Sequence, residues 1–128
     1  MQLDFFAEKE LACPTTGEIE LEDGFGDYLV ALRLDFNEPM TLTSACRTLK
    51  HNEKVGGHER SLHLIDNPYW GTDTIAVDVS CSNSVYRSRL IRQAQFHGWS
   101  VGVASNFLHL DMRTKYIDMP QAIYHYKR

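Results

Sequence analysis

Between Asp23 and Phe36 the apolar residues Phe25, Tyr28, Leu29, Ala31, Leu32 and Leu34 recur at helical spacing, which predicts a helix packed along one side. Asn37-Glu38-Pro39 stops it, because proline has no amide hydrogen to donate and restricts the residue before it. Met40 to Cys46 alternates and is rich in threonine, which predicts a strand. A short helix follows over Leu49 to Lys54, ended by Gly56-Gly57. From Thr74 to Ser80 the residues Ile75, Val77 and Val79 oppose Thr74, Ala76 and Asp78, a second strand. Ser82 or Asn83 suits the cap of a helix running to about Phe96 and stopped by Gly98. Strands over Ser100 to Ala104 and Phe107 to Met112 complete the pattern, and residues 1–23 read as an irregular N-terminal segment with a turn at Pro14 to Gly17. The fold class this predicts is α+β, a small antiparallel sheet flanked by helices.

A length of 128 residues fits one domain, 1–128, and no repeat, linker or low-complexity tract divides it. The net charge of −4 argues against nucleic acid, which calls for a clustered basic face. Arg87, Arg89 and Arg92 are the one local basic run, and at that spacing they form a solvated helix face. No apolar stretch is long enough for a membrane span, so no membrane partner is expected. Met1 to Glu8 lacks the basic leader and apolar run of a signal peptide, so synthesis in a cytoplasm is expected, with any route outward supplied by another component. Cys13, Cys46 and Cys81 are too few and too dispersed for a disulfide framework, and are expected reduced and buried.

Six histidines raise the question of a metal. His58-Glu59-Arg60-Ser61-Leu62-His63 looks like the H-E-x-x-H motif with one residue too many; that motif needs its histidines at i and i+4 on one helix face, and Gly56-Gly57 sits where the helix would already be running. A zincin is therefore excluded. His63, Asp78 and His109 form a better set. Asp78 and His109 each interrupt an apolar strand, and two histidines with one carboxylate are a common ligand set for catalytic zinc that leaves a position open for water. Polar strand residues facing solvent would give the same pattern, so spacing alone leaves both readings open.

Ser44-Ala45-Cys46-Arg47-Thr48, His51-Asn52, Val55-Gly56-Gly57 and Ser61-Leu62-His63 resemble, in order, the motifs S-G-Y-R-S, H-N, V-G-G and S-x-H. Ala76-Val77-Asp78 is similar to A-x-D, and Phe107-Leu108-His109-Leu110-Asp111-Met112-Arg113 to F-x-H-x-D-x-R. This ordered set, spanning about Phe6 to Arg113, resembles the zinc D-Ala-D-Ala carboxypeptidase family, relatives of the VanX dipeptidases and of many phage endolysins. The resemblance implies Zn2+ as cofactor, carried on the sheet by His63, Asp78 and His109. It implies that Arg47 binds substrate and polarises the scissile carbonyl, and that Ser61 hydrogen-bonds on the substrate side or supports the site. It further implies a D-amino-acid-containing peptidoglycan peptide as substrate, a monomer, and a lysis enzyme of phage type that reaches the host wall by release or delivery. Members of the same fold also serve as metal-containing wall-binding or phage structural modules, which is the alternative reading.

The chain departs from the family pattern twice. Fourteen residues separate His63 from Asp78, far more than in the motif, so Leu64 to Thr74, with Pro68-Tyr69-Trp70-Gly71, reads as an inserted loop beside the metal. Asp66 and Asp73 lie in that stretch as rival ligands, but outside the A-x-D strand context. Tyr69 and Trp70 either cover substrate as a lid or anchor the loop on the core. The positions where relatives carry a catalytic base hold Asn106 and Phe107. Asp111, two residues from His109 on a strand, faces the same side. It is thus either the base of the reaction or the group that holds His109 or pairs with Arg47 or Arg113.

Overall fold

Ala76–Ser80 (β2) and Phe107–Asp111 (β4) pair antiparallel at the centre of a five-stranded sheet, and their alternation gives the sheet two different faces. Val77, Val79, Leu108 and Leu110 point to one face and are completely buried, while Asp78, His109 and Asp111 point to the other. Both faces are covered, which is why a strand carrying an aspartate shows no exposed position until Ser80. The computed structural model describes residues 2–126; Met1, Lys127 and Arg128, at the ends of the expected 1–128 domain, lie outside the described residues.

Leu42–Ser44 (β1) pairs antiparallel with β2 at one edge, and Ser100–Val103 (β3) pairs antiparallel with β4 on the other side. Ile123–His125 (β5) adds a parallel edge strand beside β3, giving the order β1-β2-β4-β3-β5. The sheet is therefore antiparallel except at this last pair, which the sequence pattern had not shown.

The apolar face packs against two helices. Phe25–Phe36 (α2) buries Phe25, Leu29, Leu32 and Phe36, a stripe at helical spacing. Tyr28 and Leu34, which also fitted the period, are exposed. The helix ends at Asn37, which adopts φ 55° and donates its N–H to the Arg33 carbonyl before Pro39. Ser84–Phe96 (α4) starts at Asn83, whose side chain accepts from the Val85 and Tyr86 amides, and it buries Leu90 and Ala94. Trp99 meets Phe25 edge-on with ring centroids 5.4 Å apart, tying the start of β3 to α2. Arg87 does more than face solvent: its guanidinium donates to the carbonyls of Cys81, Ala104 and Ser105, fixing the β3–β4 turn to the start of α4.

The N-terminal segment is less irregular than its sequence indicates. Glu8–Leu11 (α1) forms one helical turn that buries Leu11, and Glu10 accepts from the Leu42 amide of β1. Leu49–Lys54 (α3) forms where expected, capped by Thr48, and Arg113–Tyr116 (α5) follows β4. All three cysteines are free and buried. No helix among the described residues is long and apolar enough to cross a membrane.

The expected insertion is partly core. Leu64 and Thr74 are fully buried and Ile65 nearly so. Its neck is closed by Thr74 Oγ1 donating to the His63 carbonyl at 2.9 Å and Ile75 N donating to the Leu62 carbonyl at 3.0 Å. Only 66–73 form the projecting loop, built on buried Asn67, whose Oδ1 accepts from the Tyr69 and Trp70 amides. Trp70 packs against the core, whereas Tyr69 is exposed beneath the Arg60 guanidinium, 4.0 Å from its ring centroid.

Candidate metal centre

Register brings two of the three expected ligands together, since Asp78 on β2 sits directly opposite His109 on β4. His63 arrives from the segment after α3, where its carbonyl accepts from Arg47 N at 2.9 Å and Ile65 N donates to the Arg47 carbonyl at 2.8 Å. One ligand atom from each of His63, Asp78 and His109 lies within 4.8 Å of the others, and all three residues are buried. His58, by contrast, is exposed and no helix runs from His58 to His63. Asp73 accepts from the Asp66 amide at the loop neck, and neither belongs to the cluster.

The hydrogen bonds fix which ring nitrogen faces inward. His63 Nδ1 lies 2.8 Å from the Ala45 carbonyl, which only accepts, so Nδ1 carries the hydrogen and Nε2 presents a lone pair. His109 Nε2 lies 2.9 Å from Asp111 Oδ2, so Nε2 donates and Nδ1 is the inward atom. Those two inward nitrogens lie 3.0 and 3.1 Å from the same oxygen, Asp78 Oδ1. Three acceptors thus converge on one point, each histidine backed by an acceptor on its far nitrogen, as ligands of a metal are. The donor set fits zinc.

Burial disfavours the imidazolium of His109, but hydrogen bonds to Asp111 and Asp78 outweigh it and raise its pKa to about 9. His63, completely buried, is shifted the other way by that burial, against the pull of Asp78. Asp78 is buried too, yet the two histidines hold its carboxyl well below the usual range. Asp111, disfavoured by burial but forked by Arg113, falls to about 2 and is ionised at neutral pH.

Arg47 is buried beside the cluster. Nε donates to Ser44 Oγ at 3.0 Å, Nη1 to Asn52 Oδ1 at 3.2 Å, and Nη2 lies 3.5 Å from Asp78 Oδ2. Ser44 faces the site because β1 slips register between Leu42, opposite Val79, and Ser44, opposite Asp78. Arg47, Asp78 and Ser44 line a cavity of about 260 Å³ together with Pro14, Thr43, His51, Val55 and Phe107. No residue of the 64–74 stretch lines it. Ser61 Oγ accepts from His63 N at 3.2 Å, so its visible task is to shape the turn that delivers His63. Asp111 sits behind His109, bonded to Arg113 Nε at 2.9 Å and Nη2 at 2.8 Å.

Several further residues support the site. Asn52 holds Arg47 and also donates to the His58 carbonyl at 2.9 Å. Gly57 makes room for this contact, since a Cβ there would stand 2.0 Å from Asn52 Oδ1. Tyr126 stacks on the His109 ring at 4.8 Å, and Tyr124 accepts from Arg113 Nη2 at 3.2 Å. Gly102, opposite His109, leaves the space those tyrosine rings fill, a Cβ there lying 2.7 Å from Tyr126. The H-N and V-G-G motifs pointed to Asn52 and Gly57; nothing marked Tyr124 or Tyr126.

No curated protein and no solved structure matches the chain. A family model does, that of peptidase M15, over residues 9–111. That match spans most of the chain and every residue of the His63–Asp78–His109 cluster, and the protein accordingly belongs to the peptidase M15 family of zinc-dependent D-Ala-D-Ala carboxypeptidases and VanX-like peptidases.

Proposed function

We propose that the protein hydrolyses peptide bonds in the stems or cross-links of bacterial peptidoglycan, in the manner of a D,D-carboxypeptidase or endopeptidase, and acts as a monomeric lysis enzyme of phage type. The supporting observation is the cavity that joins Arg47 to Asp78 of the zinc ligand set. Bound zinc supplies Lewis acidity, polarising a carbonyl and bringing the pKa of water toward neutrality.

The chain's own groups do the rest. His63 and His109 are held in a fixed orientation by Ala45 and Asp111. Arg47 stays charged at any working pH and carries donors in a planar fork suited to a carboxylate or to a carbonyl gaining negative charge. Its bonds to Ser44 and Asn52 hold that fork in place before substrate arrives. Pro14, Val55 and Phe107 give the cavity apolar walls suited to a small side chain such as the alanine methyl. Asp111, on the far nitrogen of His109, is placed to orient that ring, which supports the positioning role over that of base.

Mass spectrometry of muropeptides after digestion of purified peptidoglycan tests this reading. New peptide termini that need zinc and disappear in Arg47→Ala are expected. Retention on the wall with no cleavage product would instead favour a zinc-containing binding module, the alternative that Asn106 and Phe107 at the usual base positions keep in view.

A further inference from the structure

The positions at which relatives carry a base cannot serve here. Phe107 is apolar, and Asn106 is exposed with its carbonyl accepting from the Cys81 amide. A peptidase still needs a group that moves protons between water and the leaving amine. The cavity beside the zinc ligands contains one side chain suited to that task and otherwise unused.

His51 lies on α3 and lines the same cavity as Arg47 and Asp78. Two contacts set its position. Its amide donates to Thr48 Oγ1 at 3.2 Å, which caps the helix, and its Nδ1 lies 2.6 Å from Thr15 Oγ1 of the N-terminal segment. The Thr15 bond fixes the ring and occupies one nitrogen. Nε2 is hydrogen-bonded to no described residue. An imidazole anchored through one nitrogen, on a residue that lines the cavity with Arg47 and Asp78, has the arrangement of an acid–base group with its orienter.

We propose that His51 is the proton-transfer residue of this peptidase, oriented by Thr15. The role rests on the hydrolytic reading of the site given above. As the C–O bond forms between water and the carbonyl carbon, His51 Nε2 takes a proton from the water. As the C–N bond breaks, the same proton passes to the amine nitrogen, so that one water is consumed and His51 ends as it began. Its electrical surroundings suit the base. Burial, with Arg47 and Lys54 nearby, lowers its affinity for a proton below that of an ordinary histidine, so the ring is neutral at pH 7. Thr15 and Phe107, which approach from other segments, are uncharged, and among the described residues Asp78 is the one carboxylate lining the cavity.

The test compares wild type, His51→Ala, His51→Gln and Thr15→Val on peptidoglycan-derived peptides, with zinc content and melting temperature measured for each. His51→Ala should keep its zinc and its melting temperature, lose a factor on the order of 10²–10⁴ in kcat with KM little changed, and recover part of the loss with added imidazole. The acidic limb of the wild-type kcat profile should fall below about pH 6.5 and vanish in this variant. Thr15→Val should lose less, and His51→Gln should behave as His51→Ala. Full kcat and an unchanged pH profile in His51→Ala would overturn the role while leaving hydrolysis intact. A wild-type protein that cleaves none of these peptides would overturn the substrate reading and this role with it. Loss of zinc in His51→Ala would show that the residue acts on the metal and not on protons.

Discussion

Replacing Asp111 by asparagine preserves the shape of the side chain and removes its charge. Four hydrogen bonds end on this buried carboxylate: Oδ2 accepts from His109 Nε2 at 2.9 Å and Arg113 Nη2 at 2.8 Å, and Oδ1 from Arg113 Nε at 2.9 Å and Arg113 N at 3.1 Å. All four partners are donors, so the NH2 group of an asparagine must meet at least one of them head-on. If the amide turns its oxygen to Arg113, its NH2 faces His109 Nε2 and moves the ring hydrogen to Nδ1, the atom that must bind metal. Loss of such an orienting bond weakens metal affinity by about 10–100-fold. This corresponds to about 1.4–2.8 kcal/mol. The zinc dissociation constant of Asp111→Asn, from competition with a chromophoric chelator, should rise by that factor, with kcat restored at saturating zinc. An unchanged dissociation constant with kcat down by a factor on the order of 10²–10⁴ would refute the reasoning and make Asp111 the base.

Gly57→Ala should destabilise by about 1–3 kcal/mol, as overpacking does. The new Cβ starts 2.0 Å from Asn52 Oδ1 and 3.0 Å from Arg47 Nη1, so kcat/KM should fall while zinc stays; a wild-type melting temperature and kcat/KM would contradict this. Excising 66–73 and closing the neck with a short turn should retain zinc but lower stability, because Trp70 leaves its packing on the core, whereas excising 64–74 also removes Leu64 and Ile65 and should cost about 2–5 kcal/mol more for each, measured by urea unfolding. Zinc must displace the proton that His109 holds up to about pH 9, so uptake should release a proton and the apparent affinity should fall as pH drops from 9 toward 6.5, by up to about tenfold per unit. Without metal, His109 contributes stability that is complete below its unfolded pKa of about 6.5 and lost as pH rises through 9, and a melting temperature flat across that range would contradict the assignment.

The central sheet and both long helices were legible because one face of each is apolar, and periodicity reports that directly. Asp78 and His109 were legible for the opposite reason, as polar residues in strands that burial had otherwise made apolar. Pattern fails where a short element is held by tertiary contacts. The single turn of α1 depends on Glu10 reaching Leu42, and β5 depends on pairing with β3, neither of which leaves a period in the sequence. The same limit hid Tyr124 and Tyr126, which reach His109 only through that edge strand. Leu64, Ile65 and Thr74 lie in the stretch that motif spacing reads as inserted, and that spacing says nothing of their burial, which depends on where the neck closes. The site-facing turn of Ser44 comes from a register slip, which no alternation of side chains reveals.

Metal analysis of His63→Ala, Asp78→Ala, His109→Ala and Asp73→Ala beside the wild type tests the zinc site most directly. Stoichiometric zinc is expected in the wild type and in Asp73→Ala, and its loss in each of the other three, with folding verified by circular dichroism. Zinc retained by Asp78→Ala, or lost by Asp73→Ala, would contradict the assignment of His63, Asp78 and His109 as the ligand set.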